Sequence, residues 1–284
     1  MNAILFWGTS ADKPYLYQLK SCVSDTTTYL QLEKVDSITQ VQVTCASKRI
    51  NKVVSTSTLL LARLLDWKKR GMPSLDNYAG SYFTVPDKGK NLPRLEIVFI
   101  QPLKQLVTVP YGKFMAARII SKLVKSDTWY TPTEFNWELL TASNIEIVFE
   151  RFKKSFLIAV DIETFKTNAV IRCVAYTAFY ADNNKITSES KVLPLDSEFN
   201  LAWMRKLNWE LKAPKVLQNG MYDIAYFFRY NAPLYNYLYD TANMFHTWYA
   251  ELPKDLGFLN SFFIREATYW KDLGTTADLY EYYK

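Results

Sequence analysis

Phe156-Leu157-Ile158-Ala159-Val160 runs directly into Asp161-Ile162-Glu163-Thr164, and this stretch decides how the second half of the chain is read. The five apolar residues form an unbroken run, as in a strand buried on both faces. Two carboxylates follow it, and side chains two apart on a strand point the same way. Asp161 and Glu163 are therefore expected to face one spot at the end of a buried strand. Two like charges held together are costly unless a cation neutralises them. Hard oxygen donors at this spacing suit Mg2+ or Mn2+. A solvated Asp and Glu at a strand end also account for the pair.

Strands are expected at 170–180 and 185–195, joined by the turn Asp182-Asn183-Asn184. A helix over 199–209 follows, then a short strand at 215–219. Gly220 turns the chain into a helix over 221–230. Two more helices are expected, around 240–249 and 256–267. Asp223 falls in the first turn of its helix, where the dipole tolerates an anion, and Asn219 stands at the turn before it. Helix capping is the other reading of both residues.

Taken together, Asp161-Ile162-Glu163-Thr164 and, about sixty residues on, Asn219-Gly220-Met221-Tyr222-Asp223 resemble the first two motifs of the DEDD 3′–5′ exonucleases. These are the proofreading domains of DNA polymerases. Tyr239-Asp240-Thr241-Ala242-Asn243-Met244 resembles the Asp-Thr segment that comes next in them. Residues 249–259, with Leu252-Pro253 and Leu256, resemble the connection found in phage and bacterial family A polymerases. The likeness covers roughly 156–284.

It implies a ribonuclease-H-like mixed sheet and two-metal hydrolysis of the 3′-terminal phosphodiester of single-stranded DNA, with two Mg2+ or Mn2+ ions as cofactors. Asp161, Glu163 and Asp223 would be the catalytic and metal-binding residues. Asp161 would bridge both ions, Glu163 would serve the ion on the attacking-water side, and Asp223 the one on the leaving-group side. Thr164, Asn219, Tyr222 and Phe227 would contact the nucleic acid, the two aromatics by stacking. Core packing is the alternative for Tyr222 and Phe227. The family's fourth carboxylate, from a Tyr-x-x-x-Asp or His-x-x-x-x-Asp motif, has no match. His246 and Glu251 come too early and carry Glu for Asp, and Gly274 stands four residues before Asp278. The expectation is therefore the N-terminal portion of a longer polymerase, ending before that motif, with a polymerase domain to follow. Two other readings stay open. One is a catalytically incomplete module that binds single-stranded nucleic acid or a replication partner. The other is an exoribonuclease of the same superfamily.

The first half is expected to be a smaller α/β accessory domain over 1–150, preceding the exonuclease domain over 151–284. Strands are read at 3–7, 52–55, 95–100 and 106–109. A helix capped by Ser57 runs through Trp67 toward a Gly71 stop, another helix spans 113–125, and a loop covers 76–89.

Composition limits the alternatives. The 284 residues are 49% hydrophobic and 22% charged, which is globular. Three scattered Cys argue against a disulfide framework and for a reducing compartment. One His and no Cys-x-x-Cys pair make structural zinc improbable. The net charge of +6 fits a polyanionic partner without requiring one. No apolar stretch approaches a membrane span. The expected location is the cytoplasm of a bacterium or phage-infected host, with no membrane partner.

Overall fold

The computed structural model describes residues 2–22, 26–32, 37–89, 92–124, 129–130, 136–165, 170–183 and 185–269. The chain divides into two compact units, 1–132 with 251–284, and 133–250.

The first unit is built on five strands: β1 (Asn2–Gly8), β2 (Thr26–Leu32), β3 (Lys52–Ser55), β4 (Tyr82–Val85) and β5 (Leu95–Phe99). Their order is β2-β1-β3-β5-β4. All neighbours are parallel except β4, which runs antiparallel on the edge. Ile4, Leu5, Phe6 and Trp7 are all buried, as a parallel strand covered on both faces requires. Before residue 132 the helices of this unit are α1 (Leu16–Ser21), α2 (Ile38–Ser47), α3 (Thr58–Leu64), α4 (Leu75–Tyr78), α5 (Gln105–Thr108) and α6 (Gly112–Val124). Ser57 caps α3 by accepting from the Leu60 amide, as expected.

Three expectations are corrected here. The segment 106–109 is not a strand but lies in and just after α5, whose first residue packs so closely on Gly112 that a Cβ there would collide with the Gln105 carbonyl. The loop expected over 76–89 contains most of α4 and the edge strand β4. Helix α3 stops at Leu64, earlier than expected: Asp66 already takes the left-handed conformation, with φ at 48°, and Gly71, at φ 83°, lies beyond the helix end.

The second unit holds β6 (Trp137–Leu139), α7 (Ile145–Phe152), β7 (Leu157–Thr164), β8 (Ile171–Asp182), β9 (Lys185–Pro194), α8 (Glu198–Glu210), β10 (Lys215–Leu217), α9 (Met221–Arg229), β11 (Tyr237–Asp240) and α10 (Thr241–Trp248). The strand order is β11-β10-β7-β8-β9-β6. Strands β7, β8 and β9 form an antiparallel meander. After α8 the chain returns to lay β10 parallel to β7, and after α9 it adds β11 parallel to β10. Three antiparallel strands extended on one side by two parallel crossovers make the ribonuclease-H-like mixed sheet. Strand β11 is not among the elements expected from the sequence, where only its last residue, Asp240, falls in the helix expected around 240–249. The apolar residues Ile145, Val148, Phe149 and Phe152 of α7 and Trp203, Met204 and Leu207 of α8 pack with the buried residues of β7 and β8.

The boundary expected at 150 falls inside the second unit. The helix Leu256–Phe263 belongs to the first, where the Arg118 guanidinium of α6 donates to the Phe262 carbonyl. The first unit, expected to be the smaller, is thus the longer of the two.

Among the described residues no helix is long and apolar enough to cross a membrane.

Candidate functional site

Strand β7 alternates instead of being buried on both faces as its apolar run suggests, Leu157 and Ala159 being only half-buried. Ile158, Val160 and Ile162 are buried, while Asp161 and Glu163 are exposed on the opposite face. The two carboxylates thus share one face at the end of the strand. Next to it, β10 pairs only with Ile158 and Ala159, so β7 runs on past its neighbour and its edge amides there need other acceptors. Asp223 provides one: its Oδ1 accepts from the Ile162 amide at 3.1 Å.

Asp223 arrives there because of a tight turn. Asn219 has φ at 55°, Gly220 starts α9, and Asp223 falls in the first helical turn. Its side chain is buried, and its pKa is pushed up to about 6, first by burial and next by the charge of Asp161. The Asp161 charge is therefore near enough to act on Asp223. Glu163 lies two residues beyond Asp161 on the same face of β7. Cys173 pairs with it across β8, and the Cys173 thiol is raised by burial, then by Glu163, with Asp161 adding to it.

The residues expected to contact nucleic acid separate into two groups. Tyr222 is half exposed, and its hydroxyl lies 3.1 Å from Thr164 Oγ1, so both stand beside the carboxylates. Asn219 is exposed at the turn. Phe227 is fully buried in the core of the second unit and is corrected to a packing residue. It lies four residues after Asp223, on the same inward side of α9.

Asp240 is the residue the sequence left without a role. Its carboxylate accepts from the amides of Asn219 and Gly220 and so grips the turn that precedes Asp223. His246 is exposed on α10. Asp278, Tyr282 and Tyr283 lie outside the described residues.

Three carboxylates are the right kind of donor for Mg2+ or Mn2+. Among the described residues, however, no three His, Cys, Asp or Glu side chains are drawn into a group that could hold a metal ion.

No protein-family model matches the chain, and no curated protein matches it. Among solved structures it is similar to the Aedes aegypti Nibbler EXO domain, with 15% identity and a TM-score of 0.26. That likeness covers 40% of this chain and 52% of the other, so the chain spans about half of that domain's length. So loose a superposition adds nothing to the topology above.

Proposed function

We propose that the second unit is a metal-dependent 3′–5′ exonuclease acting on single-stranded DNA, in the manner of a polymerase proofreading domain. The observation that carries this reading is the Asp223–Ile162 bond, which brings a third carboxylate from another element against the Asp161/Glu163 strand end. Asp161, Glu163 and Asp223 would hold one or two Mg2+ or Mn2+ ions. Bound there, such ions would activate water and offset charge on the scissile phosphate. The carboxylates repel one another, and a cation removes that repulsion, so binding would draw them closer.

The chain's own residues would do the rest. Thr164 and the Tyr222 hydroxyl, already in contact, would meet the terminal nucleotide. The exposed ring of Tyr222 would stack on a base, and Asn219 would hold the strand near its 3′ end. A polymerase domain following this chain belongs to the same reading.

The test is a 3′-labelled single-stranded DNA oligomer incubated with the chain and Mg2+ or Mn2+. The expected result is stepwise release of mononucleotides, abolished by Asp161→Ala. Equal release by that variant would overturn the reading. An RNA oligomer run alongside decides between deoxyribonuclease and ribonuclease.

One observation favours a second reading. With no three-ligand group gathered among the described residues, the unit would bind a single-stranded 3′ end without cutting it. The same assay then shows a stable DNA complex and no release with either metal.

A further inference from the structure

We propose that Asp240 is a positioning residue for the carboxylate cluster, a role that rests on the nuclease reading above. Its side chain is almost fully buried and accepts five hydrogen bonds. Oδ1 takes the amides of Asn219 at 3.1 Å, Ala242 at 2.9 Å and Asn243 at 3.3 Å. Oδ2 takes the Gly220 amide at 2.7 Å and the Tyr237 hydroxyl at 2.8 Å. The bonds to Ala242 and Asn243 are ordinary capping of α10. Those to Asn219 and Gly220 are not, since they reach across from β11 to the turn between β10 and α9.

That turn has little reason to hold its shape unaided. Asn219 occupies the left-handed region, which a side chain disfavours. Gly220 leaves no room for anything larger, because a Cβ there would stand 2.7 Å from both Leu217 Cβ and the Tyr237 hydroxyl. Asp240 satisfies both amides with charged oxygens, the stronger kind of acceptor. Burial alone would raise its pKa, but the donors from Gly220, Tyr237, Asn243 and Asn219 outweigh this and hold it below the usual carboxylate range. Thr241, the next residue, adds a bond to the Gln218 side chain.

The start of α9 is therefore fixed from β11, and Asp223 lies three residues beyond Gly220. Its oxygen must meet the Ile162 amide and stay beside Asp161. A displacement of about an ångström at such a site costs on the order of a hundredfold in rate. Asp240 touches neither metal nor substrate in this scheme; it sets where Asp223 can be.

The experiment compares the wild-type chain with Asp240→Asn, which keeps the size but turns one acceptor into a donor. Ser197→Ala is the control, because it removes a helix cap on α8 in the same unit, away from the turn. Two readouts are taken: hydrogen exchange at the Ile162 amide by NMR, and kcat and KM for mononucleotide release. Asp240→Asn is expected to speed Ile162 exchange about tenfold and lower kcat about tenfold or more, with KM within about twofold. Ser197→Ala is expected to change neither. If Asp240→Asn does not fold, Tyr237→Phe removes a single bond to Oδ2 and is expected to give smaller changes in the same direction. Wild-type exchange and kcat in a folded variant would overturn the positioning role and leave the nuclease reading standing. Faster exchange in Asp240→Asn, with no release even by the wild-type chain, would instead overturn the nuclease reading and reduce Asp240 to a turn clamp.

Discussion

The Ile162 amide donates to Asp223 Oδ1 at 3.1 Å across 61 residues of chain. The bond exists because β7 outlasts β10. Where the short strand ends, the longer one still presents an edge amide, and the first turn of α9 supplies the acceptor in place of a strand. The same edge carries Asp161 and Glu163 on its exposed face. Asp223 is thus held against the strand that carries the other two carboxylates, as a direct consequence of strand lengths.

Asp161→Asn should lower the pKa of Asp223. Its present value, about 6, reflects burial first and the Asp161 charge second. Removing the charge leaves the burial, so the new value should fall below 6 yet stay above 3.8. A carboxyl NMR titration measures it directly. An unchanged Asp223 would show that the two carboxylates do not sense each other.

Asp223 also sets a pH dependence of stability. Its folded pKa of about 6 lies above the unfolded value of 3.8, so the folded state binds more proton between those values. Stability should therefore fall as pH rises from about 4 to 6, by on the order of 2 kcal/mol in metal-free buffer. Asp223→Asn should flatten this slope in urea unfolding followed across the window. A slope that persists would assign it to another group.

Lys122 in the first unit should act in the opposite sense. It is fully buried, its Nζ donates to the Gly80 carbonyl at 2.5 Å, and its pKa is pushed down to about 7 by burial and by Arg118. The unfolded chain holds its proton up to about 10.5. Stability of this unit should rise between about pH 7 and 10, at up to roughly 1.4 kcal/mol per pH unit. Lys122→Met should remove that rise, as read by unfolding of the first unit at several pH values.

Tyr222 and Phe227, read alike in the sequence, should behave differently. Tyr222→Ala removes an exposed ring beside Thr164 and should weaken single-stranded DNA binding about tenfold with little effect on folding. Phe227→Ala empties a core position and should cost about 3–5 kcal/mol of stability. Binding titrations and denaturation curves on both variants separate the two roles. Tighter dependence of DNA binding on Phe227 than on Tyr222 would contradict the assignment.

Much of the second unit was legible because its signals are local. The apolar run of β7 and the alternation that exposes Asp161 and Glu163 appear within eight residues. The turn at 219–220 is marked by Asn-Gly. The burial of Phe227 is the exception, expected as a nucleic-acid contact although Asp223, Tyr226 and Phe227 share one side of a helix at spacings of three and four. Strand β11 was not readable. Its four residues include exposed Leu238 and Tyr239, and a parallel edge strand is specified by a neighbour distant in sequence. The same holds for Asp240. It read only as part of an Asp-Thr segment, and its bonds to Asn219 and Gly220 depend on strand order. In the first unit, Val107 and Val109 favour a strand by composition, yet Gln105–Thr108 coil into α5, whose first residues pack against Gly112, and only Val109 stays extended.

The most direct test of the central claim is Mn2+ binding to the chain, measured by electron paramagnetic resonance, for the wild type and for Asp161→Ala, Glu163→Ala and Asp223→Ala. One shared carboxylate cluster predicts saturable binding that each substitution weakens about tenfold or more. Binding that survives Asp223→Ala unchanged would contradict it, because the third carboxylate would then have no part in the site.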